Sequence, residues 1–165
     1  MEYKNIPFGT IDAFNVLIEI PKGSQDKYEY DEELDEFKSN FTFWGDCKFP
    51  DDYGFIPQTK AGDGDNLDAI VLNPTPLATG YVVTCRAVAI LKTIDRGEVD
   101  DKLVVVPIGC KEYDKIQSAK DLPEDFEKTY REFYKLVGVQ KKKTLEVKGL
   151  VSKEEAIEAL KKSKL

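Results

Sequence analysis

Residues 82–107 read VVTCRAVAILKTIDRGEVDDKLVVVP, and the reading of this stretch decides the fold. Residues 82–91 form a long β-rich run, residues 103–107 a shorter one, and the polar turn Arg96-Gly-Glu98 lies between them. The expectation is a β-hairpin. Upstream, residues 16–20 read as a strand stopped by Pro21-Lys-Gly23, the alternating residues 27–30 as a second, and residues 41–44 as a third. Residues 50–54 carry turn chemistry, residues 69–72 are a short buried strand, and Pro74 and Pro76 enforce a loop. The character changes after residue 120. Asp121-Leu-Pro-Glu124 looks like a helix N-terminus. Leu122, Phe126, Tyr130, Phe133 and Val137 then recur at helical spacing, with Gly138 as the expected stop. Residues 145–148 form a last strand. Ser152-Lys-Glu-Glu155 is a capping box opening a terminal helix whose inner face is Ala156, Ile157 and Leu160. The sum is a single α+β domain over residues 1–165: a small, mostly antiparallel β-barrel with about two flanking α-helices.

Composition narrows the chemistry. The chain has 165 residues, 41% of them hydrophobic and 33% charged, as expected of a soluble domain with a real core. No apolar run approaches the roughly 20 residues of a membrane span, and the N-terminus has no secretory character. Three scattered cysteines, none in C-x-x-C, point to reduced thiols in a cytoplasmic protein. Cys85 and Cys110 sit in apolar sequence and are expected to be buried. There is no histidine, which excludes Ser-His and Cys-His nucleophile schemes and histidine-ligated metals. A net charge of −7 argues against nucleic acid and anionic membranes as partners.

The acids are not evenly spread. GDGDNLDAIVL, residues 62–72, crowds Asp63, Asp65 and Asp68 at the mouth of a strand. Gly64 and Asn66 favour a bent backbone, and a bent loop brings the three carboxylates toward one point. The spacing is not that of an EF-hand, since Pro74 occupies the twelfth position. Asp95 and Asp100 flank the hairpin turn and face each other if its centre lies near 97–98; such like charges need neutralising. Lys102 shares a face with Asp100. Lys27 and Glu29 share one strand face, Tyr134-Lys135 closes the long helix, and Glu19 interrupts an apolar strand. Each alone is compatible with ordinary surface chemistry; Lys141-Lys-Lys143 reads as a solvated basic loop. Together, oxygen donors without histidine select hard cations such as Mg²⁺. Cations in an acidic basin, with lysines and tyrosines around them, are the equipment of metal-assisted phosphoryl hydrolysis.

The D-G-D-x-x-D pattern followed by an apolar run, here residues 63–71, resembles the signature of the family I soluble inorganic pyrophosphatases. Flanking blocks agree in order: LIEIPKGSQDKYEY (17–30), FPDDYGFIPQT (49–59), ILKTIDRGEVDDKLVVVP (90–107), EYDKIQSAKDLP (112–123) and the FYK of 133–135. The resemblance spans essentially the whole chain. It implies a five-stranded OB-like barrel, and hydrolysis of pyrophosphate to two phosphates by a water activated by several Mg²⁺ ions. It assigns Asp65 as general base, Asp63, Asp68, Asp95, Asp100 and Glu29 to metals, and Glu19 to a supporting position behind them. Lys27, Tyr53, Lys102, Tyr134 and Lys135 match phosphate-binding positions. It also implies a homohexamer or smaller homo-oligomer. Two positions depart from the pattern: Phe41 stands where an arginine is usual and Phe49 where a tyrosine is usual, with Lys38 or Lys48 as candidate substitutes for the lost charge. That departure keeps open a second reading, a catalytically impaired scaffold that binds phosphate compounds. A third, an OB-type nucleic-acid binder, is opposed by the acidic balance.

Overall fold

The structure is a computed structural model that describes residues 2–165. In chain order its strands are β1 (Gly9–Thr10), β2 (Ala13–Ile20), β3 (Asp26–Asp31), β4 (Glu36–Thr42), β5 (Asp52–Ile56), β6 (Leu67–Val71), β7 (Val82–Asp95), β8 (Glu98–Val99), β9 (Lys102–Pro107) and β10 (Leu145–Val151). Its helices are α1 (Phe126–Lys141) and α2 (Lys153–Ser163). Strands β2, β5, β6, β9 and β7 pair in that order, and β7 pairs back onto β2, closing a ring of five. The pairings are antiparallel except β6 with β9, which is parallel and sets Asp68 beside Lys102. The β3–β4 hairpin stands apart as its own two-stranded sheet, and β10 extends the barrel from β7.

Strand β9 shows why the 103–107 run is continuously apolar rather than alternating. Leu103 and Val105 point into the ring, beside Phe14, Val16, Val71 and the Ala156 and Leu160 of α2. Val104 and Val106 point outward, under the aromatic stripe of α1, Phe126, Tyr130 and Phe133. A strand buried on both faces needs no polar positions. Strand β7 does the same with a change of phase. Its register against β9 shifts between Ala87 and Ala89, so Ala87 and Ile90 face the interior while Val88 and Ala89 face α1.

Several boundaries differ from the sequence expectation. The third strand is residues 36–42, not 41–44; it is polar and half exposed, and it is placed by cross-strand pairing with β3 rather than by an apolar period. Residues 52–54, expected as turn, belong to β5, with Gly54 paired to Ala69. The hairpin turn contains two residues, Arg96 and Gly97, both at positive φ (51° and 84°). This matches the right-handed twist of the strands. Asp95 therefore pairs with Glu98 and not with Asp100.

Helix α1 starts later and ends later than its spacing predicts. Asp121 serves a short 3₁₀ turn instead, its carboxylate accepting the N–H groups of Gln117 and Ser118 at 3.1 Å each. Gly138 does not stop the helix. A Cβ there would lie 2.8 Å from the carbonyl oxygen of Lys143, so the glycine admits the returning chain. The stop is Lys142, in the left-handed region at φ 55°. Ser152 caps α2 as expected, accepting the N–H of Glu155 at 3.3 Å. Cys47 and Cys85 are buried, whereas Cys110 is only partly so, contrary to expectation. No helix is long and apolar enough to cross a membrane among the described residues.

Asp52 ties two loops to the barrel. It is 1% exposed, and its Oδ1 accepts the N–H of Lys22 at 2.8 Å and that of Leu77 at 3.2 Å. Asp52→Ala strands both donors, and the expected cost is about 2–3 kcal/mol. For a chain of this size that is a drop in Tm of roughly 5–10 °C, measurable by thermal unfolding.

Candidate active site

A hollow of about 590 Å³ opens on the outward face of the ring, beside the C-terminal end of α1. The 62–66 loop, the β7–β8 turn, the β3–β4 hairpin and the C-terminal end of α1 converge around it. It is lined by Asp63, Asp65, Asp68, Asp95, Asp100 and Glu29, and also by Glu19, Lys27, Tyr53, Lys102 and Tyr134. Every site residue expected from sequence is there except Lys135. Lys135 is exposed and lines a groove between α1 and residues 143–148, which Tyr134 and Lys143 also border. The reason is helical geometry: Tyr134 lies on the buried stripe, and the next residue is turned about 100° away from it.

The acidic loop is bent, as its glycine and asparagine predict. The N–H of Asp65 donates to Oδ1 of Asp63 at 3.0 Å, and Gly64 sits at φ 90°. The three carboxylates border one hollow, but they do not meet at a point. Among the described residues no three acidic groups are close enough to form a ready-made metal cluster. Lysines are interposed instead. Nζ of Lys102, 4% exposed, lies 3.3 Å from Asp68 and 2.9 Å from Asp100. Burial works against its charge, but Asp68 and Asp100 outweigh this and hold it protonated. Nζ of Lys143 lies 2.9 Å from Asp95, which also pairs with Arg96 at 3.0 Å. Glu29 accepts from the side-chain amide of Asn40.

The electrostatics are those of acids short of positive charge. Partial desolvation at the lip of the hollow, then Asp63, Glu29 and Asp100, pushes the carboxyl of the exposed Asp65 above the ordinary range. Glu19 is pushed up to about 8 by burial, reinforced by Asp68 and Glu29, although the N–H of Tyr30 donates to it at 2.9 Å. The phenols of Tyr53 and Tyr134 are raised chiefly by burial and stay protonated, as hydrogen-bond donors. Carboxylate oxygens from separate segments, with neither sulfur nor imidazole among them, fit a hard divalent cation. Such a cation would relieve the repulsion that raises these acids.

The sequence reading missed Lys141 and Lys143. Both are half-buried and line the hollow, while Lys142 between them is exposed. The left-handed turn at Lys142 produces this split, so residues 141–143 are not the solvated loop expected. Neither Lys38 nor Lys48 lines the hollow. Lys38 pairs with Asp31 at 3.5 Å and Glu36 at 3.8 Å; Lys48 is exposed. Phe49 is buried among Tyr53, Phe133 and Phe43, with ring centroids 5.8, 4.9 and 6.1 Å away, and forms an apolar wall of the hollow.

Carboxylates and lysines gathered around one hollow define a class: OB-like barrels that handle small polyanions with the help of hard cations. The profile described as "Inorganic pyrophosphatase" matches residues 16–164. An inorganic pyrophosphatase of Synechocystis sp. is 38% identical over 135 residues, covering 82% of this chain and 80% of the relative. One from Thermus thermophilus is 37% identical over 160 residues, covering 94% and 91%. The crystal structure of inorganic pyrophosphatase from Thermus thermophilus superposes with a TM-score of 0.91 at 35% identity, covering 98% of this chain and 96% of that one. The chain belongs to the inorganic pyrophosphatase family. Membership implies a divalent metal cofactor.

Proposed function

We propose that this chain, as a single domain over residues 1–165, hydrolyses pyrophosphate to two phosphates with Mg²⁺ as its divalent cofactor. One observation carries the reading. A single hollow gathers the acids of the 62–68 segment, Asp95 at the end of β7, Asp100 just before β9 and Glu29 of β3 together with buried lysine and tyrosine donors. Asp63, Asp68, Asp95, Asp100 and Glu29 are the residues to hold the cations, with Glu19 behind them. When bound, the cations neutralise phosphate charge and acidify water. Lys27, Lys102, Tyr53 and Tyr134 hold the phosphate oxygens, because ammonium and phenol groups are donors that an anion can use. The Asp65 carboxylate takes the proton of the water that attacks phosphorus, and the bridging oxygen leaves with the second phosphate. The aromatic wall of Phe49 and Phe133 limits water on one side. Lys135 does not line the hollow; it lies in the neighbouring groove, which Tyr134 and Lys143 also border.

The impaired-scaffold reading is not favoured, since the acids are complete and two lysines not foreseen from sequence also line the hollow. A nucleic-acid partner is disfavoured by the net charge of −7 and by the acids that line this hollow. We place the protein in the cytoplasm, away from membranes, on the strength of its unpaired cysteines. We also take it to be a homohexamer or smaller homo-oligomer, supported by exposed apolar side chains such as Trp44, Tyr81 and Val139.

The test is phosphate release from pyrophosphate. Turnover is expected with Mg²⁺ and not without it. Calcium, whose looser coordination suits the geometry poorly, is expected to inhibit. Absence of Mg²⁺-dependent release, or strong turnover with calcium alone, would overturn the reading.

A further inference from the structure

Lys141 is the last residue of α1, half-buried, and it lines the hollow. Its neighbours differ from those of the other lysines there. Lys102 is held by Asp68 and Asp100, and Lys143 by Asp95. Among the described residues, Lys141 pairs with no carboxylate. Its ammonium stands over the ring of Phe41, with Nζ 5.5 Å from the centroid. An aromatic face stabilises a cation without consuming its hydrogen-bond donors. Phe41 is the register partner of Lys27, so both lysines bound the same corner of the hollow.

That corner is electrostatically unfinished. Burial, then Lys27 and Lys143, lowers the Lys141 ammonium to about 8. Of Lys27, Lys141 and Lys143, only Lys143 is ion-paired among the described residues, and an anion at this corner would relieve the repulsion among the three. The position of Lys141 is also built in. The side-chain amide of Gln140 grips the backbone of Trp44 at both ends: the N–H of Trp44 donates to Oε1 at 3.0 Å, and Nε2 donates to the carbonyl of Trp44 at 2.9 Å. This double bond pins the end of α1 to the segment after β4. The same segment carries Phe43, whose ring is 4.8 Å from that of Phe41. Phe41, Trp44, Gln140 and Lys141 are thus one small assembly, with its charge directed at the hollow.

We propose that Lys141 binds a phosphate oxygen of the substrate at the Phe41 corner, and that Gln140 positions it through the Trp44 backbone. This rests on the pyrophosphate reading above. Lys141 supplies binding that is the same in ground and transition state, so its loss acts on KM rather than kcat. The nearby Phe41 carries no charge of its own; the cation for that corner is delivered by the helix end instead.

The test compares full-length wild type, Lys141→Met, Lys141→Gln, Lys141→Arg and Gln140→Ala, each checked by thermal unfolding. Steady-state hydrolysis of Mg-pyrophosphate is measured beside calorimetric binding of imidodiphosphate, a non-hydrolysable analogue. Lys141→Met and Lys141→Gln are expected to raise KM and the imidodiphosphate Kd about tenfold, the worth of one charge-assisted hydrogen bond discounted for solvent, with kcat little changed. Lys141→Arg should recover most of the loss. Gln140→Ala should raise KM by a smaller factor, and by none when Lys141 is already methionine. Wild type without turnover would defeat the pyrophosphate reading itself. Active wild type with unchanged KM and Kd in both Lys141→Met and Lys141→Gln would defeat only the role of Lys141. An equal effect of Gln140→Ala in both backgrounds would remove Gln140 from positioning it.

Discussion

Asp65→Asn is expected to lower turnover by at least about a hundredfold while leaving Tm unchanged, because a positioned base contributes roughly 10²–10⁴ to rate. Asp65 is suited to this measurement. Its side chain is exposed at the lip of the hollow and accepts no hydrogen bond among the described residues; the loop is held by its backbone, through the N–H to Asp63 and the carbonyl accepting from Ala61 at 2.7 Å. An amide therefore preserves the turn and removes only the proton acceptor. The comparison needs single-turnover hydrolysis, thermal unfolding and Mg²⁺ titration on both proteins. Retention of most of the activity would take Asp65 out of the base role, and collapse of metal binding would recast it as a ligand.

The second large effect is expected at Lys102. Its ammonium is the sole basic group within ion-pair distance of Asp68 and Asp100 among the described residues, and it is almost fully buried. Lys102→Met leaves two half-buried carboxylates with no counter-charge, which is the costly way to break such a pair. With the acids about a quarter exposed to solvent, the expected loss in metal-free buffer is about 2–3 kcal/mol, or roughly 5–10 °C in Tm. Catalysis should fall as well, since a phosphate donor is gone. Mg²⁺ should restore more stability to the variant than to wild type, because a cation then replaces the missing ammonium between the acids. Equal stabilisation of both proteins by Mg²⁺, or an unchanged Tm without it, would contradict this picture.

The sequence disclosed some elements more readily than others, for physical reasons. Strands β7 and β9 were legible because burial on both faces demands unbroken apolar runs. The α2 start was legible because Ser152 and Glu155 satisfy a local rule within four residues. The β4 strand was not, because its residues are polar and its place is fixed by β3 across a hairpin. The end of α1 was misread because Gly138 is a common helix stop, whereas here it makes room for Lys143, whose approach only the tertiary structure reveals. The site divides similarly. Carboxylates such as Asp63 and Asp68 are conspicuous at a strand mouth in any sequence. Lys141 depends on a left-handed backbone at Lys142 and a side-chain grip by Gln140, neither of which has a composition signal. Lys135, expected at the site because residues 133–135 match the family pattern, lies one position off the buried stripe of α1 and lines the adjacent groove instead of the hollow.

The parallel pairing of β6 with β9 has a consequence for how the molecule becomes competent. Asp68 and Lys102 are register partners, yet no local turn can join parallel neighbours. The chain runs through the whole of β7 and turns back between them. The centre is therefore built by pairing between positions 34 residues apart, and a chain with only its local hairpins formed would hold this acid and this lysine apart.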